Sequence, residues 1–322
     1  MLITTAHDLA GRMTDGMTEI IAGGDRTAFA LLVALFARGH ALIEGVPGTG
    51  KTLAVRALAS LAGAQYRRIQ FTPDLMPADV VGTTVFNPQT AEFSTRSGPI
   101  FTNVLLADEI NRTPPKTQSA LLEAMEEARV TIDGTPLQLP QPFFVCATQN
   151  PIEYEGTYPL PEAQLDRFLV KIEAGYPRKD QELQLLSRVA QGFDARSIEP
   201  DKTAPLAQPA QILQAQQEVR AVHVSGGVQQ YVYEIVAATR AHRQLSLGAS
   251  PRAGVSLLLA AQAAAAIDGR AYATPDDVKD VAPLVVPHRL IVQPQAEIDG
   301  VRAAAVLDEV LNVIAVPREA TA

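Results

Sequence analysis

Eight consecutive residues, 45–52, have the types and spacing of a loop that binds nucleotide phosphates. The run Gly-Val-Pro-Gly-Thr-Gly-Lys-Thr matches the pattern G-x-x-x-x-G-K-[ST] and lies between an apolar stretch, residues 41–46, and a helical pattern that begins at Thr52. Glycines let backbone N–H groups surround phosphates at a helix N-terminus, Lys51 neutralises the β- and γ-phosphates, and the Thr52 hydroxyl is a ligand for Mg²⁺. We therefore predict that ATP with Mg²⁺ binds here, with contacts from Gly45, Pro47, Gly48, Thr49, Gly50, Lys51, Thr52 and Leu53.

Two carboxylates, Asp108 and Glu109, directly follow the apolar run of residues 104–107. If that run is a strand beside the phosphate-binding loop, both acids lie at the carboxyl edge of the sheet. Asp108 is then placed to hold Mg²⁺ through its water shell, and Glu109 to polarise the water that attacks the γ-phosphate. An acidic pair at a strand end can also be merely solvated. Because the second carboxylate supplies a base, the pair favours ATP hydrolysis over passive nucleotide binding.

A polar side chain, Asn150, follows the apolar run of residues 143–148. Its amide would lie at the same sheet edge and could orient the attacking water. Asn before Pro is also a common turn-forming pair, so spacing alone leaves both interpretations open. Cys146, the only cysteine of the sequence, lies within this run, which excludes an internal disulfide and indicates a buried strand position with no chemistry of its own.

The elements that must position these residues are visible as apolar runs that alternate with helical patterns from residue 40 onward. This alternation is typical of a parallel sheet covered by helices. Five runs are strand candidates: residues 41–46, 66–71, 104–107, 143–148 and 168–172. Between the third and fourth runs we expect a helix that Thr113 caps, with Pro114 in its first turn and its end at Arg129. The candidate nucleotide residues then belong to one α/β domain.

Two hairpins are predicted within this α/β domain. Residues 130–137 place Asp133-Gly134 between β-forming residues, which favours a tight turn. A second hairpin is expected over residues 84–94, with its turn near residues 87–88.

The character of the sequence changes after Pro177. Strand signals nearly vanish there, and alanine-rich helical segments follow a proline-containing linker over residues 192–209. The helices of this part have recognisable N-caps at Ser250 and Thr274. We therefore divide the chain into two domains, a nucleotide-binding domain of residues 1–176 and a small helical domain of residues 177–322.

Composition limits the classes of function. With 322 residues, of which 47% are hydrophobic and 19% charged, the chain has enough apolar surface for folded cores. The formal charge of −8, the 5% aromatic content and the absence of tryptophan argue against nucleic acid as the main partner. The sequence starts without a secretory signal pattern, and the apolar stretch of residues 255–267 is too short for a membrane span. We expect a cytoplasmic protein without a membrane span, in which that stretch is a buried helix.

Five motifs, in this order, resemble those of the MoxR branch of AAA+ ATPases. They are GVPGTGKT at residues 45–52, LADEINR at 106–112, PPKTQSALLEAMEE at 114–127, ATQNP at 147–151 and YPLPEAQLDRF at 158–168. The resemblance covers nearly the whole chain and is far more specific than a single phosphate-binding loop. It implies an AAA+ fold: a parallel sheet flanked by helices, with a helix-2 insert and a hairpin before sensor 1, followed by a small all-α lid. It also implies assembly into a homo-oligomeric ring, typically a hexamer, with ATP at the subunit interfaces.

The resemblance assigns roles to three further residues. Asn150 is similar to sensor 1, Arg167 to the arginine finger that reaches the γ-phosphate of a neighbouring subunit, and Arg252 to sensor 2 on the lid. For Arg167, a surface pair with Asp166 is the simpler alternative. Arg252 also lies in the first helical turn after Ser250, where the helix dipole disfavours a cation. That conflict points to a compensating anion, either a triphosphate or a nearby acid.

The function that follows is Mg²⁺-dependent ATP hydrolysis that drives remodelling or maturation of protein complexes. By resemblance, the partners are protein clients and a protein with a von Willebrand factor A domain. The alternatives are a motor subunit of a chelatase-type metal insertion complex, a nucleic-acid motor, a non-hydrolysing scaffold and a small-molecule kinase. A dedicated chelatase operon would favour the first alternative, DNA-stimulated ATPase activity would favour the second, and measurable turnover would exclude the third.

Overall fold

The computed structural model describes residues 3–89, 91–151, 156–195, 198 and 204–317. Its strands are β1 (Ala41–Gly45), β2 (Tyr66–Gln70), β3 (Gly82–Asn87), β4 (Glu92–Ser97), β5 (Val104–Asp108), β6 (Arg129–Ile132), β7 (Thr135–Gln138), β8 (Phe144–Gln149), β9 (Val170–Ala174), β10 (Leu245–Leu247) and β11 (Ile291–Val292). Its α-helices are α1 (Thr5–Ile20), α2 (Asp25–Phe36), α3 (Lys51–Leu61), α4 (Pro77–Val81), α5 (Pro115–Glu127), α6 (Glu162–Leu165), α7 (Lys179–Ala190), α8 (Pro209–Arg220), α9 (Gly226–Ala241), α10 (Pro251–Ile267), α11 (Pro275–Val285), α12 (Pro294–Ile298) and α13 (Ala303–Val313).

Five strands form one parallel sheet in the order β2-β5-β8-β1-β9, which confirms the predicted α/β architecture. All residues of β5 are buried, and β1 and β8 are buried except for one position each near the carboxyl end. This burial fits parallel strands that helices cover on both faces. β9 begins at Val170 rather than at residue 168. Because β1, β8 and β5 lie side by side, the segments that follow them meet at one edge of the sheet.

Two apolar layers lie against the sheet. On one face, strand residues such as Ile43 and Leu106 pack with α1, α2, α3 and the later helices α8 to α11 in one continuous core. On the other face, Leu42 and Leu105 pack with α5, including Leu121. The division follows from the strands themselves, because successive side chains point to opposite faces.

Both predicted hairpins are present. β6 and β7 pair antiparallel around Asp133 and Gly134, whose φ values of 46° and 80° lie in the left-handed region that such a tight turn requires. β3 and β4 pair antiparallel directly after α4, and every residue of β4 is exposed. On this second hairpin, the rings of Phe86 and Phe93 lie 5.1 Å apart between centroids, and Phe93 is 74% exposed.

The chain after β9 is helical apart from the short antiparallel pair β10 and β11. Both predicted N-caps are confirmed: the Ser250 hydroxyl accepts from the N–H of Ala253, and the Thr274 hydroxyl accepts from that of Asp277. Part of the predicted linker, residues 192–209, lies outside the described residues. The N-terminal helix α1 packs against α8 and α10, so one apolar core runs across the predicted boundary between the two parts. No helix in the described ranges has both the length and the apolar character that crossing a membrane demands.

The predicted cap of α5 is wrong. Pro114, not Thr113, is the N-cap residue, with a ψ of 153°, and the helix begins at Pro115. A residue before proline is restricted to extended conformations, so Pro115 keeps Pro114 out of the helix. The Thr113 hydroxyl is buried and contacts no hydrogen-bond partner among the described residues. At the other end, Ala128 has a left-handed φ of 50°, which ends the helix at Glu127, two residues before the predicted end.

Candidate functional site

The loop between β1 and α3 has a backbone that requires glycine. Gly48 and Gly50 have φ values of 84° and 82°, in the left-handed region. A Cβ atom at Gly45 would lie 2.3 Å from the carbonyl oxygen of Ala174 on the adjacent strand β9. Two glycines therefore permit the turns of the loop, and the third permits close packing of β1 against β9.

The main chain of this loop faces open space. A Cβ atom added at Gly48 or Gly50 would meet no atom within 4 Å, so the main chain there is open to a ligand. The loop leads into α3, a helix of 11 residues whose first N–H groups and dipole favour an anion. Nζ of Lys51 donates to the carbonyl oxygens of Gly45 and Val46, and Oγ1 of Thr49 donates to that of Val46 at 3.0 Å. Of the remaining predicted contact residues, Pro47 is exposed, and Thr52 and Leu53 are half-buried.

Asp108 ends β5 and is only 7% exposed. Its Oδ1 accepts from Oγ1 of Thr148 at 2.5 Å, and its Oδ2 accepts from Nη2 of Arg68 at 2.6 Å. A carboxylate buried to this degree needs a cation, and Arg68 supplies the positive charge that Mg²⁺ would supply. Within the described ranges, no three His, Cys, Asp or Glu side chains form a metal cluster. The predicted Mg²⁺ ligands, Thr52 and Asp108, would therefore need nucleotide phosphates to complete the coordination of the ion, a ligand set that this ion accepts.

Glu109 has a φ of 57°, an uncommon and strained conformation for a residue with a side chain. Its Oε2 accepts from Nε2 of Gln70 at 2.6 Å and lies 3.3 Å from Nε of Arg112. Its N–H donates to the Thr148 hydroxyl at 2.9 Å, so one threonine links both acids. Glu109 follows Asp108 at the sheet edge, and release from both Gln70 and Arg112 would free Oε2 to accept a proton from water.

Four polar residues contact the two acids in addition to the predicted site residues: Arg68, Gln70, Arg112 and Thr148. Arg112 and Thr148 lie within the motifs at residues 106–112 and 147–151, whereas Arg68 and Gln70 lie in none of the five motifs. Arg68 and Gln70 are two residues apart on β2, and Nη2 of Arg68 donates to Oε1 of Gln70 at 2.9 Å. They reach the acids because β2 pairs with β5, with Gln70 opposite Asp108. The sequence of residues 66–71 predicts a strand here, but it does not reveal which strand lies beside β2.

Asn150 follows β8 and is 6% exposed. Since β8 lies between β1 and β5, Asn150 reaches the same edge as the loop of residues 45–52 and the two acids, as the sequence predicts. Cys146, in the middle of β8, is fully buried, and burial raises the pKa of its thiol.

Arg167 and Arg252 meet elsewhere in the subunit. Arg167 precedes β9 and thus lies near the end of the sheet at which the parallel strands begin. Its Nη1 donates to Oε2 of Glu126, and Nη1 of Arg252 donates to Oε1 of the same carboxylate at 3.4 Å. One acid near the C-terminus of α5 therefore binds both arginines.

This contact changes the argument for Arg252. The first turn of α10 disfavours a cation, and Glu126 provides a compensating anion without any nucleotide. The alternative of a nearby acid is thus the one observed, and the role of Arg252 as sensor 2 stays a prediction from the family. For Arg167, the simple pair with Asp166 is not observed, because Asp166 contacts Ser250 and Arg289 instead.

Comparisons with known proteins agree with this geometry. The family model for the ATPase family associated with various cellular activities (AAA) matches residues 40–170, and that for the AAA lid domain matches residues 237–310. The chain is 48% identical to the Bacillus subtilis protein YeaC over 98% of this chain and 97% of the relative. It is 43% identical to the chaperone MoxR1 of Mycobacterium tuberculosis over 93% of this chain and 80% of the relative. The crystal structure of a candidate ATPase from Cytophaga hutchinsonii superposes with a TM-score of 0.88 at 37% identity, over 97% of this chain and 96% of the other.

Proposed function

Because this chain belongs to the MoxR family of AAA+ ATPases, we propose that it hydrolyses ATP with Mg²⁺. We propose that it does so as one subunit of a homo-oligomeric ring, a hexamer. The proposed outcome is remodelling or maturation of other protein complexes, in line with the name chaperone that the mycobacterial relative carries. The division into a nucleotide-binding domain, residues 1–176, and a helical lid, residues 177–322, belongs to this proposal.

Within one subunit, the proposed roles follow the edge at which β1, β8 and β5 end. Lys51 binds the β- and γ-phosphates, and Thr52 and Asp108 hold Mg²⁺, which neutralises phosphate charge when it is bound. Glu109 accepts a proton from the attacking water, and Asn150 orients that water. The open main chain at the loop and the paired acids at the same edge support these roles.

The ring is supported by one observation, the position of Arg167. This residue precedes β9, whereas the loop of residues 45–52 follows β1 and the two acids end or follow β5. In a parallel sheet, segments that precede and segments that follow the strands lie at opposite ends. An arginine so placed is suited to reach the γ-phosphate of another subunit, where its charge would stabilise the charge that develops during hydrolysis.

Mixing two inactive variants tests the ring. Arg167→Ala keeps its own phosphate loop and base but lacks the finger, and Glu109→Gln keeps the finger but lacks the base. Neither variant alone should turn over ATP. Mixed oligomers contain interfaces in which an intact Glu109 meets an intact Arg167, so we expect partial recovery of ATPase activity. The rate is measured against the mixing ratio, at a protein concentration at which assembly is shown separately.

A matched control separates this effect from a general loss of charge. Arg129 pairs with the exposed Glu127 at the end of α5 and carries no proposed role, so Arg129→Ala should keep its ATPase rate. A zero rate at every ratio in oligomers shown to be mixed would contradict the ring proposal. Full activity of Arg167→Ala alone would contradict it as well.

We propose further that the β3–β4 hairpin contacts protein clients or a partner with a von Willebrand factor A domain. Its paired rings, Phe86 and Phe93, are large apolar groups exposed on a projecting element. Shortening residues 85–93 to a tight turn should leave basal ATPase activity largely intact and abolish the effect of clients or partners on the rate. Collapse of basal hydrolysis together with the fold would assign the hairpin to the core instead.

A further inference from the structure

A buried arginine with no role so far lies beside the segment that carries Arg167. Arg289 ends the single helical turn after α11, and its side chain is 2% exposed. Its Nε donates to Oδ1 of Asp166 at 2.6 Å. Its terminal nitrogens donate to a further set of oxygen acceptors, namely the carbonyl oxygens of Asp166, Phe168, Leu169 and Val285 and the hydroxyl of Ser256.

Three of these carbonyl groups lie on residues 166–169, on either side of Arg167. Nη2 of Arg289 lies 2.7 Å from the carbonyl oxygen of Phe168 and 3.3 Å from that of Asp166. The main chain around Arg167 is therefore bound by a side chain from the C-terminal helical part. Because the donors of a guanidinium form a rigid planar fork, they fix the directions of several acceptors at once, which a flexible ammonium group does not.

Asp166 extends this contact to the helix that carries Arg252. Its Oδ2 accepts from the hydroxyl of Ser250 at 3.3 Å, and Ser250 caps α10 two residues before Arg252. Asp166 thus joins the N-terminus of α10 to Arg289 and to the segment before β9.

Stability alone is a weak reason for this cluster. Burial lowers the pKa of Arg289, and the hydrogen bond and charge of Asp166 oppose that effect. The attraction within a buried ion pair often fails to exceed the cost of removing both charges from water, and apolar residues of similar volume are frequently as stabilising. An apolar side chain, however, cannot hold carbonyl groups in fixed directions. The contacts of Arg289 therefore favour a role in positioning the main chain of residues 166–169.

We propose that Arg289, acting through Asp166 and the main chain of residues 166–169, is a positioning residue that presents Arg167 to the nucleotide of the neighbouring subunit. This inference rests on the proposed function, because it requires that Arg167 acts in a neighbouring site. Arg289 itself is assigned no contact with the nucleotide.

The proposal has a distinctive consequence. A subunit that lacks the contacts of Arg289 keeps its own phosphate loop and acids, so it binds ATP normally. Its Arg167, however, is misplaced relative to the nucleotide of the neighbouring subunit. A displacement of about 1 Å can reduce a rate about a hundredfold. The defect then appears in the next subunit's site, and a neighbour with an intact Arg289 repairs it.

Two variants, Arg289→Lys and Asp166→Asn, test the proposal in the full chain. Arg289→Lys keeps the charge but loses the planar fork. Asp166→Asn keeps an acceptor for Ser250 but loses the charge, and it provides a separate test if Arg289→Lys fails to fold.

Each variant is assayed alone and mixed with Glu109→Gln, which has an inactive site but an intact Arg167. Alone, we expect kcat to fall at least about tenfold, while KM for ATP stays within about twofold. On mixing, the rate per variant subunit should rise. Unchanged kcat in both variants, or no rise on mixing, overturns the proposal.

The ion pair of Arg270 with Asp277 provides a matched control. Asp277 has a 6% exposed side chain and contacts Arg270 at 2.5 Å, but both residues belong to the C-terminal helical part and hydrogen-bond there. Asp277→Asn should lower the Tm as Asp166→Asn does, without a loss of kcat that mixing repairs. Arg167→Ala mixed with Glu109→Gln is measured in parallel. If ATPase activity recovers when Arg167→Ala is mixed with Glu109→Gln but not when the Arg289 and Asp166 variants are mixed with it, this inference alone is overturned. If the mixture of Arg167→Ala and Glu109→Gln also stays inactive, the ring proposal and the inference are overturned together.

Discussion

Where the parallel strands end, Asp108 and Glu109 each contact an arginine of their own; near the end where they begin, one acid, Glu126, contacts both Arg167 and Arg252. The first arrangement balances charge and keeps two acids beside the phosphate loop. In the second, two guanidinium groups share one carboxylate. The difference teaches that the acids and the arginines with proposed roles in hydrolysis are set at different ends of the sheet of one subunit.

The two ends also differ in burial. The side chain of Asp108 is 10% exposed, whereas that of Glu126 is 42% exposed. Exposed ion pairs contribute about 0–1 kcal/mol, so Arg167 and Arg252 can exchange the Glu126 carboxylate for a phosphate at little cost. The contact of Asp166 with the buried Arg289 cannot be exchanged in this way. Separating the two residues would leave the buried charge of Arg289 without a partner.

Glu109→Gln breaks the acid-bearing end and should have the largest effect. The amide keeps the shape of the side chain but cannot accept a proton, so we expect kcat to fall about 10³-fold. ATP affinity should stay within about threefold, as measured by equilibrium binding. Loss of binding together with turnover would refute the assignment of Glu109 as the base. Glu127→Gln, at an exposed acid without a proposed role, is the control and should keep its activity.

Lys51→Ala sharpens the comparison by separating binding from turnover at the same end. The ammonium group faces the phosphates in both the ground state and the transition state, so its loss should weaken ATP binding about a hundredfold. Calorimetry with ATP and Mg²⁺ measures the change. An unchanged Kd would mean that the phosphates do not lie at the loop of residues 45–52.

His40 directly precedes β1, at the end of the sheet where the parallel strands begin, and makes the packing there sensitive to pH. Its Nδ1 accepts from the N–H of Val145 at 3.0 Å, and its Nε2 lies 3.0 Å from the carbonyl oxygen of Met125. Burial lowers the pKa of His40 from 6.5 to about 4. The unfolded chain therefore binds this proton more readily, so the contribution of the neutral ring to stability is complete above pH 6.5 and is lost as the pH falls toward 4, by up to about 3 kcal/mol.

Denaturant unfolding across that pH range measures the loss. His40→Asn can donate to one partner and accept from the other without titrating, so its stability should fall less with acid. The buried His288, whose pKa is also lowered, should contribute equally to both proteins. An identical pH profile for the two proteins would exclude His40 as a source of acid sensitivity.

Glu126→Gln should have the smallest effect. Because the side chain is half-exposed, we expect the free energy of unfolding to change by about 1 kcal/mol or less, and the ATPase rate of assembled oligomers by less than about threefold. Glu123→Gln, one turn earlier on the exposed side of α5, is the control. A loss of ATPase activity as large as that of Arg167→Ala would show that Glu126 positions the finger, and the contrast between exchangeable and buried contacts would fail.

The parts of the fold that depend on local backbone preference are the ones that sequence reasoning predicts. The phosphate loop follows from the glycines of residues 45–52, and the turn of the β6–β7 hairpin follows from Asp133-Gly134. The five sheet strands follow from apolar runs, with ends correct to within two residues. Where two local rules compete, the prediction fails: Thr113 is a good cap by type, but Pro115 moves the start of α5 beyond it.

By itself, the sequence determined which side chains can bind phosphate, accept a proton or donate a positive charge, because these properties belong to residue types and to their immediate neighbours. Only the tertiary structure decided what surrounds them: Arg68 at Asp108, Glu126 between two arginines, and Arg289 buried against the main chain before β9. These contacts join residues that are far apart in the chain. They depend on the order of strands and the packing of helices, which many small interactions set together and no single position records.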